Sequence, residues 1–161
     1  MRKRNRVAFV TGLLGISVLL AVHLSAQSAD PWLGKWKANL QKSAANGSTN
    51  SPPKSISVTL EPWNGGERST SDTVTATGQL IHRELQYKFD GKDNAVKGAL
   101  EANTTWAYRR VDNHTYEYVV KVDGKVTGTT RGAVSRDGKT LITTSRNAQG
   151  QPGAIAVFDK Q

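Results

Sequence analysis

The stretch TTWAYRRVDNHTYEYVVKV, residues 104–122, decides how this chain folds. Asp112-Asn113-His114 is a short polar run of the kind that turns a chain back on itself, and β-branched and aromatic residues dominate on both sides of it. With Arg110 set opposite Tyr116, Tyr108 falls opposite Tyr118 and Trp106 opposite Val120. The same register sets Arg109 opposite Glu117 on the other face. One pairing thus yields an aromatic face and a charge-matched face, and a slip of one residue would destroy both.

Outward from this hairpin, Asp-Gly-Lys recurs at Asp90-Gly91-Lys92, Asp123-Gly124-Lys125 and Asp137-Gly138-Lys139. Asp-Gly tolerates the positive φ of tight hairpin turns, so each copy is expected to be a turn between antiparallel strands. Strands are expected at 34–39, 55–61, 69–77, 80–89, near Val96, and at 104–111, 115–122, 126–135, 140–146 and 154–160. Ile56, Val58 and Leu60 alternate with polar residues, as do Leu85 and Tyr87, whereas the third run offers only Val74 and Ala76 as an apolar face. The Ser-, Asn- and Pro-rich run 41–54 reads as a loop with one helical turn at most. The fold class is therefore all-β: one antiparallel meander of about eight to ten strands that closes into a barrel and so removes its edges. The expected inward residues are Trp36, Ile56, Val58, Leu60, Leu85, Tyr87, Trp106, Tyr108 and Tyr118.

The chain opens differently. Arg2, Lys3, Arg4 and Arg6 precede an apolar run from Val7 to Leu24, and Ala26-Gln27-Ser28 offers small residues for cleavage. Residues 1–28 read as a signal peptide, with residues 29–161 as the barrel domain and the periplasm or the exterior as its compartment. No stable membrane span is expected after cleavage near Ser28. An uncleaved N-terminal anchor is the alternative, because about 18 apolar residues just span a bilayer. Removing residues 1–28 takes four basic residues from the 22 Lys and Arg, which leaves 18 against 13 Asp and Glu, a net charge of +5. The basic residues are spread rather than clustered, so no nucleic-acid partner is expected. The chain holds no Cys, so packing and strand pairing alone must stabilise it.

No motif carries catalysis. No Gly-x-Ser-x-Gly elbow, Gly-rich phosphate loop or metal-ligand spacing occurs, and His82 and His114 have no sequence partner to orient them. The chain is expected to be no enzyme and to hold no cofactor or metal. The informative residues are arginines on apolar faces. Arg83 interrupts Ile81, Leu85 and Tyr87, Arg110 shares a face with Trp106 and Tyr108, and Arg131 lies in a Thr-rich run. A guanidinium inside a barrel binds a carboxylate or phosphate bidentately, with aromatic walls around the rest of the ligand. The candidate ligand site is thus Arg83 and Arg110 with Trp106, Tyr108, Tyr118 and Tyr87, and the partner is a small apolar or amphipathic molecule with an acidic head. The alternative is that these arginines close the barrel as structural stoppers, in a cell-envelope module with a filled core and no small ligand.

Gly34-Lys35-Trp36, entering the first strand after an apolar turn, resembles the Gly-x-Trp signature of lipocalins. The closing run from Ala154 to Lys160 is similar to the end of a lipocalin or fatty-acid-binding barrel. The order of these segments resembles exported bacterial lipocalin-like proteins of unknown function. The resemblance implies a calycin-type barrel in which Gly34 and Trp36 form the closed base.

Overall fold

The computed structural model describes residues 30–45 and 52–161; the expected signal peptide lies outside them. Ten strands and one short helix follow in order: β1 Gly34–Ala38, α1 Leu40–Ala45, β2 Ser55–Trp63, β3 Gly66–Val74, β4 Leu80–Tyr87, β5 Asp90–Ala95, β6 Thr104–Asp112, β7 Thr115–Val122, β8 Lys125–Val134, β9 Thr140–Asn147 and β10 Pro152–Lys160. They form one antiparallel sheet in the order β4-β3-β2-β1-β10-β9-β8-β7-β6-β5. The first and last strands pair, with Trp36 opposite Lys160 and Ala38 opposite Phe158. The result is a nearly closed barrel whose seam falls between β4 and β5. Among the described residues, one bridge joins that seam: Glu84 N–H donates to Lys97 O at 3.1 Å and Lys97 N–H to Glu84 O at 3.0 Å.

The hairpin at 104–122 has the register its two faces dictate, with Arg110 opposite Tyr116, Tyr108 opposite Tyr118, Trp106 opposite Val120 and Arg109 opposite Glu117. The second Asp-Gly is a two-residue turn with φ of 48° at Asp123 and 74° at Gly124, the mirror-image geometry that suits hairpin twist. The third turns β8 into β9, with Gly138 N–H donating to Ser135 O at 2.9 Å. The first copy departs from expectation. Asp90-Gly91-Lys92 begins β5, and the register against β6 shifts between Asp90 and Asp93, so Gly91 makes a bulge rather than a turn.

The third strand also differs from its sequence reading. It starts at Gly66 and ends at Val74, and its inward face is Glu67, Ser69, Ser71 and Thr73, the partners of Pro62, Leu60, Val58 and Ile56. Val74 therefore faces outward, and Ala76 lies beyond the strand. A polar inward face is tolerated because its neighbours supply the apolar surface.

One end of the barrel carries the turns at Asn64-Gly65, Asn113-His114 and 135–139 together with residues 30–33; this is the base. Trp32 and Trp36 plug it, at 0% and 1% exposure. The Trp36 indole N–H donates to Trp32 O at 2.8 Å, and that of Trp32 donates to Asn113 O at 3.1 Å. The plug is anchored at both tiers, which suits the base role that the Gly-x-Trp resemblance gives Trp36. The other end is the mouth. There α1 crosses toward β10, started by Asn39, whose side-chain oxygen accepts the Lys42 N–H at 3.0 Å. Ser43 Oγ accepts the Val157 N–H at 3.0 Å, replacing the ladder bond that β1 no longer reaches.

Candidate functional site

Burial falls from base to mouth along the long strands except β8, where Gly128 and Thr130 stay buried toward the mouth. At the base end the inward residues Leu60, Glu67, Leu85, Tyr87, Tyr108, Tyr116, Val134, Leu141 and Phe158 are buried. Toward the mouth the inward residues of the same strands, Ile56, Val58, Ser71, Thr73, Ile81, Arg83, Trp106, Tyr118, Thr143, Ser145 and Ala156, are only half-buried. The barrel is thus packed solid in its lower half and accessible in its upper half. The upper wall mixes aliphatic side chains on β2 and β4 with hydroxyls on β3 and β9, an amphipathic lining.

An aromatic column joins the halves. The rings of Tyr87 and Tyr108 stack at 3.9 Å, Tyr108 and Tyr118 at 4.6 Å, and Tyr118 and Trp106 at 4.9 Å. Tyr116 packs on Gly132, where a Cβ would come within 2.6 Å of the ring, so the glycine makes room for it. The Trp106 indole N–H is buried and has no hydrogen-bond partner among the described residues. An unpaired buried donor is uncommon and costly.

The two inward arginines differ sharply. Arg110 points to the base. Its Nη2 lies 2.9 Å from Glu67 Oε1 and 2.9 Å from Asp30 Oδ2, and its guanidinium sits 4.2 Å from the centre of the Phe89 ring. Tyr87 Oη donates to Glu67 Oε2 at 2.6 Å. Burial raises the Glu67 carboxyl above the ordinary range, the Tyr87 hydrogen bond and the Arg110 charge oppose the rise, and the Asp30 charge adds to it. This cluster fastens the N-terminal segment to the wall.

Arg83 lies in the accessible half, opposite Ser71 on β3 and two residues mouthward of Leu85. No hydrogen bond or ion pair reaches its side chain from the described residues. Its charge is felt across the lumen at Tyr118. Burial raises the Tyr118 hydroxyl, while a hydrogen bond with Thr130 and the Arg83 charge hold the rise back. The structure therefore brings Arg83, Trp106 and Tyr118 together in the upper half, and sets Arg110 and Tyr87 in a paired network below, with Tyr108 stacked between. Glu67 and Asp30 escape a motif search because neither stands near Arg110 in the sequence. The clue for Glu67 was the period of two running back from Thr73 through Ser71 and Ser69.

The remaining candidates fall elsewhere. Arg131 faces outward and binds Glu117 at 2.7 Å. His82 also lies outside, 2.7 Å from Asp72 and 3.4 Å from Glu84. His114 sits in the basal turn. Among the described residues no three His, Asp or Glu side chains converge as a metal site, and no helix is long and apolar enough to cross a membrane. Beneath α1, a cavity of about 50 Å³ bounded by Ala38, Leu40, Ser43, Ile56 and Ala156 is too small for an organic ligand. A wide basin of about 1020 Å³ outside the base is open to solvent. Two of its cations, Arg110 and Lys160, are already engaged, Lys160 by Pro31 O at 3.0 Å.

No protein-family model matches the chain, and a comparison with curated proteins finds no match. The geometry itself, an all-strand, nearly closed barrel of ten antiparallel strands, is consistent with a calycin-like fold.

Proposed function

We propose that the protein is an exported, non-enzymatic barrel, akin to the lipocalin-like proteins it resembles, that holds a small amphipathic molecule in the mouth half of its lumen. Arg83 receives the acidic head, and Trp106, Tyr118, Val58 and Ile81 surround the body. The observation that carries this reading is a guanidinium, that of Arg83, without a counter-charge among the described residues on a half-buried inward position. Desolvating a charge without a partner is costly, so an anion that fills the place is stabilised. The buried, unpaired Trp106 N–H supports the same location. Arg110 is assigned a structural role, since Glu67 and Asp30 already occupy it.

Titration with a fluorescent fatty acid tests the proposal. The wild type should bind, Arg83→Ala should bind about tenfold more weakly or worse, as expected for a lost charged hydrogen bond, and Arg110→Ala should bind as wild type while melting earlier. Absence of binding to the wild type, or an unchanged affinity in Arg83→Ala, would refute it. Export is checked separately by the intact mass of the mature protein, expected to begin at Ala29.

A further inference from the structure

We propose that the outer wall of the barrel carries a second binding site, a trough across β6 to β9 that takes small amphipathic anions. It rests on residues of the face opposite to the lumen and does not depend on the lumen reading. Two cross-strand rows build it. In the first, Arg109, Glu117 and Arg131 stand opposite one another on β6, β7 and β8. In the second, Ala107, Val119 and Thr129 follow on the same strands, and Arg146 on β9 ends the row. Small side chains form the floor, long arginines form the rim, and the bulge at Gly91 leaves the β5 side open. The hollow measures about 530 Å³, within the range of roughly 300–1,000 Å³ typical of small-molecule sites.

The charges in it do not balance. Glu117 accepts from Arg109 Nη2 at 2.9 Å through one oxygen and from Arg131 Nη1 at 2.7 Å through the other. Both carboxylate oxygens are thereby used, yet each guanidinium retains unused donors. Arg146 donates to Gly150 O at 2.8 Å, a neutral partner. Among the described side chains that line the hollow, three positive charges thus face a single negative one; on β5 beside it, Asp90 stands opposite Arg109, and Asp93, opposite Ala107, is paired with Lys121. Arg131 and Arg146 are diagonal neighbours on adjacent strands, close enough for one anionic group to meet both. The site fits a carboxylate, sulfonate or phosphate held by these two arginines, with a flat apolar body laid over Ala107 and Val119.

The test uses anilinonaphthalene sulfonate, an aromatic body with one sulfonate, and reads methyl chemical shifts. Ala107 and Val119 report on the trough, while Val58 and Ile81 report on the lumen. The probe should shift the Ala107 and Val119 methyls of the wild type. The double substitution Arg131→Gln, Arg146→Gln should weaken that response about tenfold or more, whereas Arg83→Ala should leave it unchanged. If a saturating probe moves only the Val58 and Ile81 methyls, or none, the trough is no binding site. An unchanged affinity in a folded double variant overturns the proposal equally. The wild-type shifts decide the matter even if the double variant fails to fold.

Discussion

Arg110 and Glu67, 43 positions apart in sequence, meet at 2.9 Å in the barrel base, and the same guanidinium nitrogen reaches Asp30 at 2.9 Å. Glu67 is 3% exposed, so its charge depends on this contact and on Tyr87. Removing one partner of a buried pair leaves the other uncompensated. Arg110→Ala should therefore destabilise the fold, toward the lower end of about 3–5 kcal/mol because the arginine itself is partly exposed. Adding Glu67→Gln should recover part of the loss. The sign with pH follows from the raised Glu67 carboxyl. The fold favours its protonated form, a contribution fully present below the ordinary value of 4.5 and lost as the pH rises through the raised value. The cost of Arg110→Ala should thus be larger at neutral pH than below pH 4.5, measured by urea unfolding at both.

Trp36 is a second test of the base. It is 1% exposed and its indole N–H is bonded to Trp32 O. Trp36→Ala should cost about 3–5 kcal/mol through the cavity left behind. Trp36→Phe keeps most of the packing and loses mainly the hydrogen bond, so it should cost about 1 kcal/mol plus a small volume term. Equilibrium denaturation of the two variants checks the order.

How much of this was legible in the sequence depended on whether two faces of a strand constrained each other. The 104–122 hairpin was readable because aromatic residues fixed one face and Arg109 with Glu117 the other. The third strand was not, because its inward Ser69, Ser71 and Thr73 look like outward residues. Reading Val74 as its apolar face hid Glu67, and with it the partner that separates Arg110 from Arg83. Both arginines interrupt apolar runs in the same way; only tertiary structure shows that Arg110 is paired, whereas Arg83 has no partner among the described residues. The first Asp-Gly-Lys has the sequence of a turn and the structure of a bulge, because a glycine with φ of 74° serves either.

His82 offers a test of the outer face of β4. Its ring is bonded first by Asp72 and then by Glu84, and both raise its pKa above 6.5. The stabilisation this brings is fully present below pH 6.5 and is lost as the pH rises through the raised value. Proton NMR of the imidazole should show the raised titration, and Asp72→Asn should bring it back toward 6.5. A wild-type midpoint at or below 6.5 would mean that the Asp72 contact does not persist in solution.

The four tyrosines, Tyr87, Tyr108, Tyr116 and Tyr118, test the aromatic column as a unit. Burial raises the hydroxyl pKa of every one above the ordinary 10.0. Their preference for the neutral form is fully present below pH 10.0 and is lost as the pH rises through the raised values, so phenolate formation and unfolding are coupled. An alkaline titration should show no phenolate absorbance near pH 10.0; Tyr118 should then ionise first, and the rise from Tyr87, Tyr108 and Tyr116 should coincide with loss of the β-sheet circular dichroism signal. Tyr118 is the informative member, because the Arg83 charge and the Thr130 hydrogen bond both favour its ionised form. Arg83→Ala removes one of these and should move the Tyr118 titration upward, with Tyr118→Phe identifying the transition. A tyrosine that ionises at pH 10.0 in an intact barrel would show that water reaches the column. An Arg83→Ala titration identical to wild type would place the guanidinium out of reach of the lumen, and with it the acidic head proposed to bind there.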